Sequence, residues 1–119
     1  MQHYEDYCLS KAGAELTYPF GDNVRVFKVG NKMFALLPSE EPAPTISLKC
    51  DPMRAASLRE QYKEVKPGYH LNKNHWNTIT LTGTLSEQEI HVLIDHSYDL
   101  VYKGLTKVEK AAIAEDAVS

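Results

Sequence analysis

From Val24 to Leu37 the chain reads VRVFKV, then GN, then KMFALL. Two runs rich in β-branched and aromatic residues, parted by two residues that tolerate left-handed backbone, describe a pair of antiparallel strands. The tight primed turns that join such strands match their twist and favour Asn and Gly. After the proline-rich loop PSEEPAP, TISLKC supplies a third strand, and the three form a meander. Further on, WNTITLTG alternates as a fourth strand, with Ile79 and Leu81 on one side and Trp76, Thr78 and Thr80 on the other.

A sheet of this kind must bury one face against another layer, and the remaining segments supply helices. Residues 3–12 place Tyr4, Tyr7, Cys8 and Lys11 on one side, with Gly13 as a stop, and TYPFGDN then turns the chain. Asp51 and Pro52 suit the cap and first position of a helix whose inner stripe is Ala55, Leu58 and Tyr62; Arg54, Arg59 and Lys63 fall outward. Ser86 with Glu89 forms a capping box, and Leu85 with Ile90 is spaced for a hydrophobic staple. The stripe Ile90, Leu93, Ile94, Ser97, Val101, Leu105 follows, and Gly104 ends it. Thr106 and Glu109 repeat the capping box before a short last helix, with about 114–119 as a frayed tail. The expectation is one α+β domain over 1–119, an antiparallel sheet covered by helices.

At 119 residues, 43% hydrophobic and 24% charged, the composition suits one globular domain. The longest apolar runs, such as MFALLP, fall far short of the ~20 residues that cross a bilayer. MQHYEDYCLSK has neither the basic nor the apolar part of a secretory signal, which points to the cytoplasm. Cys8 and Cys50 are too few for a disulfide framework and read as buried small hydrophobes.

The net charge of −3 argues against a strong, indiscriminate polyanion binder, but the charges are unevenly spread. Residues 45–82 carry six basic and three acidic side chains, whereas the remainder carries seven basic and thirteen acidic. A basic middle between acidic ends permits one positive face, the minimum for gripping phosphates.

Within that middle lies PGYHLNKNHWNTI, residues 67–79, too polar for a core and too aromatic for a linker. His70 and His75 are five apart with no cysteine or carboxylate between them, short of the three or four ligands a zinc or iron site needs. His91 and Asp95 are one helical turn apart, with Glu87 on the same face. No G-x-S-x-G, phosphate-cradling glycine loop or H-E-x-x-H occurs, although a His-Lys-His cluster suits a phosphate ester and Cys50 pairs on paper with either loop histidine. Nucleic-acid contact uses the same residues more fully: lysines for phosphates, Asn72, Asn74 and Asn77 for phosphate or base edges, Tyr69, His70 and Trp76 for stacking. In an irregular loop, however, Asn and His also bond backbone groups, and Trp is commonly packed.

This signature resembles that of the MmcQ/YjbR family of small bacterial proteins. SKAGAELTYPFG, KVGNKMFALL, SLKCDPMRAASLREQY, LTGTLSEQEIHVLIDHSYDLV and the closing KGL are similar to that family in the same order, so the resemblance covers nearly the whole chain. One departure is Ala12, where the family often has proline. The resemblance implies a CyaY/frataxin-like α+β fold and a DNA-binding, double-wing arrangement. Frataxins suggest iron as a rival, yet the first helix here offers only Glu5 and Asp6, with Glu15 beyond it.

The resulting expectation is a monomeric, non-catalytic DNA-binding protein without metal or cofactor. Lys49, Arg59, Lys66 and Lys73 would meet phosphates; Tyr69, His70 and Asn72 would approach sugar or base; His75 and Trp76 would fix the loop. The alternatives are a protein- or small-ligand-binding module whose polar loop lines a pocket, or a minor enzyme acting on a phosphorylated or drug-like substrate.

Overall fold

The computed structural model describes residues 2–38, 43–68 and 71–118. In chain order the elements are α1 (Gln2–Leu9), β1 (Glu15–Thr17), β2 (Val24–Val29), β3 (Lys32–Pro38), β4 (Thr45–Lys49), α2 (Pro52–Gln61), β5 (Val65–Pro67), β6 (Trp76–Thr80), α3 (Glu87–Lys103) and α4 (Lys107–Val118). The six strands form one antiparallel sheet in the order β1-β2-β3-β4-β6-β5. The expected α+β architecture is therefore the observed one.

The hairpin forms as the sequence requires. Gly30 and Asn31 both take left-handed backbone, with φ of 56° and 66°, the geometry of a primed turn. A bulge in the β2–β3 ladder turns both Phe34 and Ala35 inward. The principal core lies between the sheet and the helices, where Phe27, Phe34, Leu37, Ile46 and Ile79 meet Ile90 and Ile94 of α3. Alternation sends Val26, Leu36 and Trp76 to the opposite face, where they form a smaller cluster with Val24, Met33 and Leu71 around it. α1, α2 and α3 pack on the side of the larger core, and no described helix packs on the other.

The caps match the sequence expectation. The Asp51 carboxylate accepts the Arg54 N–H at 3.2 Å, with Pro52 opening α2. Ser86 and Glu89 complete a reciprocal box at the start of α3, and Thr106 and Glu109 exchange the same pair of bonds before α4. Three features differ. β1 and β5 were not expected, because three residues carry no readable periodicity. α1 ends at Leu9 rather than near residue 12, and a turn carries the chain to Gly13. The segment from 114, which reads as a frayed tail, is helical to Val118 in line with the good helix formers of AAIAEDAV.

Candidate nucleic-acid interface

The helix-free face of the sheet is the place to test the expected contacts. Residues directly opposite one another on neighbouring strands share a face. Lys49 of β4 stands opposite Trp76 of β6, and Lys66 of β5 stands opposite Thr78, so both lysines lie on the face that carries Trp76. The register runs Thr17, Val26, Leu36, Ser47, Thr78, Lys66 across the sheet. Ser47 and Thr78 share a hydroxyl–hydroxyl bond of 2.7 Å in that row. Lys28 also lies on this face, opposite Glu15 of β1. Behind β4, the buried Ser97 hydroxyl accepts the Lys49 N–H at 2.9 Å and donates to the Phe34 carbonyl, which ties the end of the strand to α3.

The connection from Pro67 to Trp76 emerges at the same end of the sheet as Lys49. Its shape is set by hydrogen bonds that polar loop residues make with backbone. The Gly68 N–H donates to the Trp76 carbonyl at 2.7 Å, and a Cβ at Gly68 would stand 2.7 Å from that of Trp76, so only glycine fits. The Asn72 side chain accepts the Asn74 N–H at 3.0 Å, while its carbonyl accepts from His75 and Trp76. The His75 carbonyl accepts the Cys50 N–H at 2.8 Å, joining the loop to the end of β4.

Arg59 holds this loop from behind. Its Nε donates to the Asn77 side-chain oxygen at 2.6 Å, and one terminal nitrogen donates to the carbonyls of Lys73 and Trp76. Asn77, 2% exposed, completes the clamp by donating to the Ala55 carbonyl of α2 at 3.3 Å. The planar fork of arginine suits several acceptors at once. This clamp went unread in the sequence. Periodicity places Arg59 outward on α2, and nothing local indicates that its side chain turns back to another segment.

The expected residues thus separate into two groups. Lys66 and Lys73 are exposed, Lys49 is half-buried, and all three belong to the helix-free face or the loop at its end. Arg59 and Asn72, expected at phosphate and at sugar or base, are engaged in holding the loop. Asn77, weighed as a base reader, is buried inside the clamp. His75, expected to fix the loop, is exposed and bonds through its backbone, and Trp76 is 8% exposed with its ring packed beside Leu71. Tyr69 and His70 fall outside the described residues.

Other readings meet specific obstacles. Burial pushes the Cys8 thiol up to about 12, and Cys50 is also raised, first by burial, so neither is an activated nucleophile. His91 and Asp95, one helical turn apart, have different partners, and the His91 Nε2 lies 3.8 Å from the Glu87 carboxylate. Asp95 takes the Tyr7 hydroxyl at 2.7 Å and the Lys11 ammonium, and the His91 ring stacks on Tyr7 at 3.9 Å. Burial alone would raise the Asp95 carboxyl, but its bonds from Lys11 and Tyr7 hold it below the ordinary range. Among the described residues no three His, Cys, Asp or Glu side chains gather to hold a metal, and no helix is long and apolar enough to cross a membrane.

Comparison with known proteins fixes the lineage. The YjbR family model matches residues 9–100. The chain belongs to the YjbR family. The relative named Uncharacterized protein YjbR of Escherichia coli K12 is 40% identical over 109 residues, covering 92% of each chain. Uncharacterized protein YbdF of Escherichia coli O157:H7 is 38% identical over 99 residues, 83% of this chain and 81% of that one. Among solved structures, a DUF419 protein of Deinococcus radiodurans superposes with a TM-score of 0.87 at 38% identity, over 95% of this chain and 86% of its own. A Pseudomonas syringae protein gives 0.73 at 32% identity, over 84% and 97%. This YjbR-family chain therefore shares its layered fold with solved relatives along nearly its full length.

Proposed function

We propose that this YjbR-family protein binds DNA without catalysis, through the helix-free face of its sheet and the loop at its end. The observation that carries the reading is the placement of Lys49, Lys66 and Lys73 around one end of that face. The loop that bears Lys73 is held by Arg59 and Asn77, so its backbone needs little ordering on binding. The charge balance is consistent with this polarity, since Glu87, Glu89, Asp95 and Asp99 all belong to α3, on the other side of the sheet. Phosphate contact by three lysines implies binding that is weakly selective for sequence and strongly dependent on salt.

The test is fluorescence anisotropy of labelled duplex and single-stranded oligonucleotides at roughly 50 and 200 mM salt. Each duplex phosphate neutralised adds about −0.9 to the log-log slope, so three contacts weaken binding about fortyfold across that range. Lys49→Ala, Lys66→Ala and Lys73→Ala should each reduce the slope by about one and weaken all sequences alike. Absence of saturable binding at low salt would overturn the proposal. A slope unmoved by all three substitutions would remove these lysines from it.

A further inference from the structure

A cleft of about 350 Å³ opens between α2 and α3, on the side of the sheet away from the three lysines. That volume is in the range of small-molecule sites. Its apolar lining comes from Leu58, Leu85 and Leu93, with Val92 48% exposed at its rim. The two helices run antiparallel here. The start of α2 meets α3 at His96, whose Nε2 accepts the Asp51 N–H at 3.1 Å, while its C-cap Tyr62 meets Glu89 in the first turn of α3.

The ends of the cleft differ chemically. At the Tyr62 end, the Glu89 carboxylate already has a partner on each oxygen, the Ser86 N–H at 3.0 Å and the Tyr62 hydroxyl at 3.1 Å. Those bonds hold its carboxyl below the ordinary range, so it stays charged and repels an anion at that end of the cleft. At the other end stands Arg54, whose guanidinium makes no ion pair among the described residues. The lining residues Gln61 and Gln88 are neutral, which leaves Arg54 as the one uncommitted charge in the described wall. Eight residues of helix, about 12 Å, separate Arg54 from Tyr62.

We propose that this cleft is a binding site for a small amphipathic carboxylate. Its head pairs with the Arg54 guanidinium, and its apolar tail lies over Leu58 and Leu93 toward Tyr62. A planar carboxylate matches the guanidinium fork, and the apolar wall between the charged ends provides the rest of the affinity. The site is independent of the DNA reading, since it lies on the opposite layer.

The experiment is an amide NMR titration of the full chain with sodium octanoate, and in parallel with octylamine and 1-octanol. The expected result is saturable shifts in α2 and α3 around Leu58, Val92 and Leu93, with octanoate the tightest of the three. Arg54→Gln, at an exposed position that leaves the fold intact, should weaken octanoate about tenfold and leave octanol unchanged. Val92→Asp, which sets a negative charge at the rim, should weaken octanoate as well. No saturable shift with octanoate, equal affinity for octylamine, or an Arg54→Gln variant that binds octanoate like the parent would overturn the proposal. So would shifts confined to residues outside α2 and α3.

Discussion

Replacing Asn77 by alanine tests whether the clamp behind the loop holds it in place. The substitution removes two hydrogen bonds from a site that is 2% exposed: the short one from Arg59 and the longer one to the Ala55 carbonyl. A hydrogen bond to a charged group contributes about 1.5–3 kcal/mol and a long neutral one about 0.5–1 kcal/mol. Arg59 is half-buried, so water recovers part of the first, and the expected loss is about 2–3 kcal/mol. Against a total stability of about 5–15 kcal/mol this is a large fraction, and it corresponds to roughly 8–12 °C in Tm for a domain of this size. Urea denaturation followed by circular dichroism gives the global loss. Trp76, the only tryptophan, reports the loop directly, because its carbonyl is bonded to Arg59 and Gly68 and its ring packs beside Leu71. Its emission should shift to the red in Asn77→Ala, and a double-mutant cycle with Arg59→Met should give a coupling of about 1 kcal/mol or more. A loss below about 0.5 kcal/mol with unchanged emission would refute the reasoning, since the loop would then hold its shape without the clamp.

Gly68→Ala should cost about 1–3 kcal/mol by overpacking, because the new Cβ would press on Trp76 and Leu71, and the urea midpoint together with Trp76 emission will report it. Ser86→Ala should cost about 1 kcal/mol in the same urea assay by uncapping α3. His96 is held below its ordinary value, first by burial and then by Arg54, and its Nε2 accepts a bond that protonation would break. The unfolded chain therefore binds the proton more readily, so this contribution is complete above about pH 6.5, the unfolded value, and is lost as pH falls below it. Calorimetry from pH 7.5 to 5 should show a smaller fall in Tm for His96→Leu than for the parent; parallel profiles would exclude the effect.

Several features of this molecule were legible because their causes are local. Gly30-Asn31 dictates its own turn, Asp51-Pro52 and Ser86-Glu89 their own caps, and the spacing of Ile90, Leu93, Ile94 and Val101 the buried stripe of α3. Even the face of Trp76 followed from alternation with Ile79. β1 and β5 were invisible because a three-residue strand exists only through its neighbour: Leu16 and Val65 have no pattern until Phe27 and Ile79 stand opposite them.

The candidate site divides along the same line. Residue types and charge spacing marked the basic middle and PGYHLNKNHWNTI as the unusual region, because composition is a property of the chain. Which of those side chains face outward was decided by tertiary structure alone. Arg59 and Lys66 look alike as sequence, yet one is drawn to the Lys73 and Trp76 carbonyls and the other stands free on a short edge strand. Carbonyls in an irregular loop need donors, and the nearest donor in space comes from a helix that the sequence places fourteen residues earlier. Sequence thus determined the longer elements and their caps, whereas the short edge strands and the assignment of each polar side chain to scaffold or surface waited on long-range pairing.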